Sequence, residues 1–116
     1  MTAPAAVVAL CTAPFQGSGG KPGAHDLARQ LVEEQLCACV NVVPGVRSYF
    51  RWQGSVEVAD ELLLIMKTTP EMVPQLRARV VALHPYQVPE VLELPVGGGL
   101  PGYLAWLAAA VRPPAP

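Results

Sequence analysis

Residues 37–57 constrain the fold most, because their pattern predicts a single long, bent β-hairpin. Positions 37–43 are rich in small and β-branched apolar residues, and Pro44-Gly45 interrupts this run. The next residues alternate, which places Ser48, Phe50 and Trp52 on one face and Arg47, Tyr49 and Arg51 on the other. A 116-residue domain is too small to cover such a ribbon. We therefore expect a second copy of the chain to pack on Tyr49, Phe50 and Trp52.

Composition supports the same expectation. Of the 116 residues, 52% are hydrophobic and only 15% are charged, against about 25% in an average soluble domain. A lone small domain with so little charge would expose much apolar surface, so we expect an oligomer. An apolar monomer is the alternative. The length suits one domain, which we place at residues 1–116.

Charge and cysteine usage exclude several classes of protein. The net charge of −1 and the absence of a basic cluster argue against a nucleic-acid partner. The first eleven residues lack the pattern of a signal or lipid anchor, and no segment suggests a membrane partner. Three cysteines without a targeting segment predict a cytoplasmic protein without a disulfide framework. Cys37 and Cys39 share a strand face and are expected to pack as small apolar side chains.

The remaining elements follow from periodicity and punctuation. We predict a buried strand over residues 5–12, a flexible Gly-rich loop over 13–23 and an amphipathic helix over 24–36. A central strand over 61–68 precedes a helix that begins at Thr69-Pro70 and stops before Pro85. A strand over 87–96, a helix over 103–111 and a frayed tail over 112–116 complete the chain. This order predicts an α+β, ferredoxin-like βαββαβ sandwich with a long hairpin and a C-terminal helix. The glycine spacing matches neither common phosphate-binding motif.

Two groups of residues could carry chemistry. Cys11 ends the first strand and His84 ends the second helix, so the two side chains could converge at one rim of the sheet and bind copper or zinc. The alternatives are a packed Cys11 and a His84 ring bonded to a nearby carbonyl. In the second group, Lys67, Tyr86 and Glu90 with Arg51 and Trp52 could hold a small anionic or zwitterionic ligand in a cleft between subunits. Salt bridges that fix the assembly are the alternative.

Four segments resemble the CutA family of divalent-cation tolerance proteins. They are residues 38–45 (ACVNVVPG), 49–54 (YFRWQG), 63–68 (LLIMKT) and 83–90 (LHPYQVPE). Cys11-Thr-Ala-Pro14 near the start and Tyr103-Leu-Ala-Trp-Leu107 near the end extend the similarity to residues 7–111. The resemblance implies a homotrimer that responds to metal ions, with Cys11 and His84 matching proposed copper ligands. One departure is Leu83, which stands where some relatives have a second histidine.

We therefore expect a metal-binding tolerance protein rather than an enzyme, with copper or another divalent ion as its only candidate cofactor. The alternative is a small-ligand sensor, by fold-level analogy with the trimeric PII proteins, that signals to a protein partner. Catalysis would require Cys11 as a nucleophile with His84 as its base, and no third group to orient the imidazole is evident from the sequence.

Overall fold

The first strand and the long hairpin supply three of the four strands of one sheet. The computed structural model describes residues 4–113. Its elements, in chain order, are β1 (Ala6–Ala13), α1 (Ala24–Glu33), β2 (Cys39–Trp52), β3 (Ser55–Thr68), a 3₁₀ turn (Pro70–Met72), α2 (Val73–Leu83), β4 (Leu92–Val96) and α3 (Pro101–Ala110).

The sheet has the order β2-β3-β1-β4, and every neighbouring pair is antiparallel. Side chains of β1 alternate between buried and half-buried positions, so one face of the sheet belongs to the core. The core is formed where α1 and α2 pack on that face, through Leu27, Leu31, Leu76, Val80, Ala9, Cys11, Leu64 and Met66. The predicted ferredoxin-like α+β fold is confirmed.

The hairpin is longer than the sequence predicted, because β3 begins at Ser55 rather than at residue 61. The strands change register between Val43 and Val46, where Gly45 has a φ of +80°, and this bulge gives the predicted bend. Gln53 and Gly54, with φ of +49° and +84°, form the tight turn that joins the strands. Residues 46–61, which we call the arm, lie beyond this bend.

Helix α1 ends at Glu33, three residues before the predicted end. The backbone N–H of Leu36 donates to the Leu31 carbonyl, and that of Gln35 donates to the Val32 carbonyl. Gln35 has a φ of +60°, so these bonds form the motif that closes a helix through a left-handed residue. Leu31 and Leu36 are both fully buried, which adds the apolar contact typical of this motif.

Strand β4 is shorter than predicted, because only Leu92–Val96 pairs with β1 and the expected start at residue 87 is wrong. The ladder stops at Leu10, which lies opposite Leu92. The Thr12 carbonyl, two residues further along β1, accepts a hydrogen bond from the His84 side chain. Pro95 lies on this edge strand, as expected for a residue without an N–H donor.

The other helices differ from prediction only near their ends. Thr69 makes no side-chain cap, and a 3₁₀ turn precedes α2, which ends at Leu83 as predicted. Pro101 lies in the first turn of α3, which therefore starts two residues before the predicted position. In the predicted tail, the backbone N–H of Arg112 donates to the Gln35 carbonyl, whereas residues 114–116 lie outside the described part of the chain.

The Gly-rich loop has specific backbone contacts. Ser18 and Lys21 form an isolated β-bridge, and the N–H of Ala24 donates to the Pro14 carbonyl. A Cβ atom added to Gly23 would overlap the carbonyl oxygen of Phe15. Glycine at this position allows the start of α1 to pack against the start of the loop.

We predict that Gly23→Ala destabilises the protein, although alanine is compatible with the extended backbone at this position. The added methyl has no room beside Phe15, so the expected cost is roughly 1–3 kcal/mol of unfolding free energy. Gly98→Ala is the control, because a Cβ atom there meets nothing within 4 Å. Urea denaturation measures both. Equal midpoints for Gly23→Ala and the parent would show that the loop adjusts without cost.

Candidate functional site

His84 is fully buried at the end of α2, and both of its ring nitrogens are engaged. Pro85 forces the extended backbone that ends the helix at this residue. The Nε2–H donates to the Thr12 carbonyl oxygen at 2.7 Å, since a carbonyl can only accept. Nδ1 accepts from the backbone N–H of Tyr86 at 3.0 Å. The imidazole therefore has no free lone pair for a metal ion in this arrangement.

Cys11 points into the core from β1, beside the same carbonyl group. Its Sγ lies 3.6 Å from the Thr12 oxygen, so the side chains of Cys11 and His84 meet at one backbone atom. Burial, with smaller contributions from the Glu90 and Glu61 carboxylates, raises the pKa of the Cys11 thiol to about 12. The thiol is protonated at neutral pH, whereas metal binding requires the thiolate.

The donors present therefore do not fit a resident metal ion. Within the described residues, no three His, Cys, Asp or Glu side chains are grouped closely enough to hold one. The contacts of His84 match the alternative to metal binding that was stated from the sequence, in which the imidazole at the end of a helix bonds a nearby carbonyl group. Copper binding at Cys11 and His84 stays a prediction, and it would require the Thr12 and Tyr86 bonds to His84 to change.

Glu61 is the residue of this region that the sequence analysis missed. It lies on β3 opposite Val46, at the base of the arm, and is only 5% exposed. The Tyr86 hydroxyl donates to its Oε2 at 2.7 Å. In the sequence, Glu61 follows Asp60 at the start of an apolar run and looks like the solvated end of a strand. Alternate residues of a strand share a face, so Glu61 lies on the same face as Leu63, Ile65 and Lys67. This alternation was the available signal that Glu61 lies on the sheet face away from α1 and α2.

A cleft of about 890 Å³ opens between the arm and the segment that follows α2. Glu61 and Thr12 lie at its base. One wall is the arm, with Ser48, Tyr49, Phe50, Trp52 and Ala59, and the other wall is residues 86–90. Burial raises the pKa of Tyr86 and of Glu90, and the Glu61 carboxylate raises both further.

Three of the five predicted cleft residues line this cavity, namely Trp52, Tyr86 and Glu90. Arg51 lies on the opposite face of the arm from Trp52 by strand alternation. Lys67 is six residues beyond Glu61 along β3, about 20 Å away. Its Nζ lies 5.9 Å from the centre of the Tyr103 ring. Within one chain, the structure therefore does not bring the two basic residues to the cleft.

The distance of Lys67 from the cleft of its own chain has a topological cause. Strand ends were expected to gather at one rim, but in an antiparallel sheet the end of one strand lies beside the start of its neighbour. Ala13 at the end of β1 pairs with Leu62, whereas Lys67 pairs with Val8 near the start of β1. Lys67 and Cys11 consequently lie toward opposite ends of the sheet.

Comparison with known proteins gives one consistent result. The model of the CutA1 divalent ion tolerance protein family matches residues 8–110. The divalent-cation tolerance protein CutA of Thermus thermophilus is 55% identical over 84 residues, which is 72% of this chain and 82% of that protein. Among residues 4–113, no helix has the length and apolar character needed to cross a membrane.

Comparison with solved structures indicates the same family. The divalent cation tolerance protein from Thermus thermophilus superposes with a TM-score of 0.82 at 48% identity, over 92% of this chain and 99% of that one. A second structure, described as the PII-like protein CutA from Nostoc sp. PCC 7120 in apo form, has a TM-score of 0.82 at 31% identity. The superposition covers 91% of this chain and 97% of the Nostoc chain.

We predict that His84 makes stability fall as the pH is lowered. Burial lowers the pKa of His84 in the folded state, against opposing effects of the Thr12 carbonyl and Glu61. Above about pH 6.5 the imidazole is neutral in both states, and its bonds contribute fully. Below that pH the unfolded state binds a proton that the folded state does not, so unfolding becomes easier until the folded-state pKa is reached.

The measurement is the unfolding free energy at pH 7.5 and pH 5.5, from urea denaturation. His84→Gln should lose stability at both values and show a smaller difference between them. His25→Gln, which removes an exposed imidazole, is the control and should keep the parent's difference. An unchanged difference in His84→Gln would exclude His84 as its source.

Proposed function

Because this chain belongs to the CutA1 family of divalent ion tolerance proteins, we propose that it acts as a homotrimeric ligand-binding protein in the cellular response to metal ions. The cleft beside the arm is its binding site in this proposal. The observation that carries it is Glu61, a nearly buried carboxylate at the base of a cavity large enough for a small molecule. The PII-like description of the Nostoc protein supports a sensing role.

Exposed apolar side chains support the homotrimer. Tyr49, Val56 and Val58 are well exposed on one face of the arm, and Phe50 and Trp52 are about 40% exposed on the other. On the sheet face away from α1 and α2, Leu92 and Leu94 are exposed beside half-buried Leu10 and Ile65. The molecule extends 43 Å along its longest axis, and its radius of gyration of 14.7 Å exceeds the roughly 13 Å of a compact domain of this length. An arm that another copy covers would account for these features.

A binding role without catalysis fits the state of the two candidate catalytic groups. The Cys11 thiol is protonated, and the His84 nitrogens are bonded to backbone groups. Neither group is arranged to act as a nucleophile or as its base. We place the protein in the cytoplasm, where three free cysteines are stable, and propose that it signals to another protein.

Copper binding at Cys11 and His84 is the second candidate, and the resemblance of the Cys11 and His84 segments to the family supports it. With one thiol and one imidazole per site, both already hydrogen-bonded, we expect copper binding to be weak. Leu83 is half-buried and packs against the core. A histidine at this position would therefore have to turn out of the core to reach the same rim.

For the assembly, we predict that charge on the arm separates the subunits. Two double variants test its two faces: Tyr49→Asp with Val58→Asp, and Phe50→Asp with Trp52→Asp. Each should reduce the trimer to a species of one chain, 12.3 kDa, or to aggregate, because buried carboxylates without partners destabilise an apolar interface. Analytical ultracentrifugation measures the mass.

Val81→Asp is the control, because this exposed valine lies on α2, away from the arm. It should sediment like the parent. A parent that sediments as one chain would overturn the homotrimer. If both double variants sediment as trimers, the arm does not hold the subunits together.

For the metal, we predict weak, substoichiometric copper(II) binding that depends on Cys11 and not on Cys37 or Cys39. Anaerobic copper titrations of the parent, Cys11→Ser, His84→Ala and Leu83→His measure it, with Leu83→His expected to bind more tightly. Tight binding that survives both Cys11→Ser and His84→Ala would exclude this site. If no variant binds copper, the metal candidate is excluded and ligand sensing remains.

A further inference from the structure

We propose that a second copy of the chain completes the cleft, and that Lys67 of the partner subunit forms a salt bridge there with Glu90. This inference rests on the proposed homotrimer and deepens the proposed binding site. It assigns part of the lining of the site, including a cation, to the partner subunit, so the charge that a ligand meets is set by two chains.

Lys67 is a cation without an acceptor in its own chain. Four of the eight lysine and arginine residues form salt bridges within the part of the chain that the structure describes. Of the other four, Lys21, Arg51 and Arg112 are exposed to water, whereas Lys67 is half-buried. The Lys67 ammonium group faces the ring of Tyr103 instead of a carboxylate. An acceptor from another chain would satisfy it.

The position of Lys67 brings it into the surface that we assign to the assembly. Its cross-strand neighbours are Val8 and Cys39, and Leu94 lies opposite Val8 on the next strand. Cross-strand partners share a face, so this row belongs to the sheet face that α1 and α2 leave uncovered. A copy that covers this apolar face also removes water from the ammonium group. Burial of an unpaired charge is strongly unfavourable, so the covering copy has to supply an acceptor.

Glu90 is the complementary group. It lines the cleft, and within the described chain this lining contains no lysine, arginine or histidine. Burial and the nearby Glu61 carboxylate raise the pKa of Glu90, as expected for two acids that lie close together without a cation. Glu61 differs from Glu90, because it also lines a neighbouring cavity with His25 and Arg47. Glu90 is therefore the cleft carboxylate that lacks a basic neighbour.

The symmetry of a trimer allows the two groups to meet. In one chain, β3 runs from Glu61 at the cleft to Lys67, about 20 Å away at the other end of the sheet. Every interface of a cyclic trimer joins two different patches of the same chain. The basic end of one copy can therefore meet the acidic cleft of the next, three times around the ring. Opposite charges of this kind also determine which patches pair.

Carbodiimide coupling of the parent trimer tests this contact. The reagent activates the Glu90 carboxylate, and the Lys67 amine displaces the activated group to form an amide, while the carbodiimide leaves as a urea. Coupling without a spacer requires the two groups to touch. Lys21 and Lys67 are the only lysines of the sequence, so few products compete. Peptide mass spectrometry of the covalently linked chains should show Lys67 joined to Glu90.

Conservative variants control the coupling. Lys67→Arg keeps the charge but supplies no amine, so it should remain a trimer and lose the link, whereas Lys21→Arg should keep it. Glu90→Gln should also lose the link. Glu57→Gln, which changes an exposed acid on the arm, should keep it. A parent trimer in which Lys67 is joined to Glu57 or to another acid, or to nothing, would overturn the inference.

Charge reversal measures the strength of the contact. Lys67→Glu and Glu90→Lys should each weaken trimer association at least about tenfold, and the double variant should recover most of the loss. Glu71→Lys makes the same change of charge on the exposed 3₁₀ turn and should associate like the parent. Sedimentation over a dilution series measures all four. Single reversals without effect would contradict the salt bridge, and if they do not fold, the coupling of the conservative variants decides.

The state of the parent separates this inference from the proposed function. A parent that sediments as one chain overturns the homotrimer and the contact together. A parent trimer without the link between Lys67 and Glu90 overturns the contact alone and leaves the homotrimer standing.

Discussion

The hydrogen bond between His84 and the Thr12 carbonyl joins β1 to the end of α2. It fixes the end of β1, it holds the residue at which α2 stops, and it occupies the carbonyl just beyond the β1–β4 ladder. The second ring nitrogen holds the backbone of Tyr86. One buried imidazole thus sets where the segment after α2 leaves the core, and that segment forms one wall of the cleft.

The same interaction explains why a neighbouring thiol and imidazole need not form a metal centre. A buried polar ring must satisfy both of its nitrogens, and two backbone groups do so here. The next polar link, from the Tyr86 hydroxyl to Glu61, connects this buried network to the base of the arm. A ligand that contacts Glu61 would therefore act on a residue joined through Tyr86 to the end of α2 and to β1.

Periodicity predicted the parts of the fold that depend on local pattern. Alternation over residues 47–53 gave the faces of the arm, and Pro85 gave the end of α2. Periodicity could not predict the point at which β4 stops pairing. That point depends on the His84 side chain donating to the Thr12 carbonyl, which is 72 residues away in the sequence. It also missed Glu61, whose burial depends on the packing of residues 86–90. Lys67 lies away from the cleft of its own chain, because it pairs with Val8 near the start of β1.

The two outer strands of the sheet share a residue type with a consequence for the dissociated chain. β2 carries Pro44 at its bulge and β4 carries Pro95, and each proline removes one N–H donor from an edge. A free edge with an unbroken row of donors and acceptors is a template for amyloid-like growth. Residues 46–52 of β2 contain no proline, so this part of the arm is the longest continuous edge that a second strand could pair with in a separated subunit.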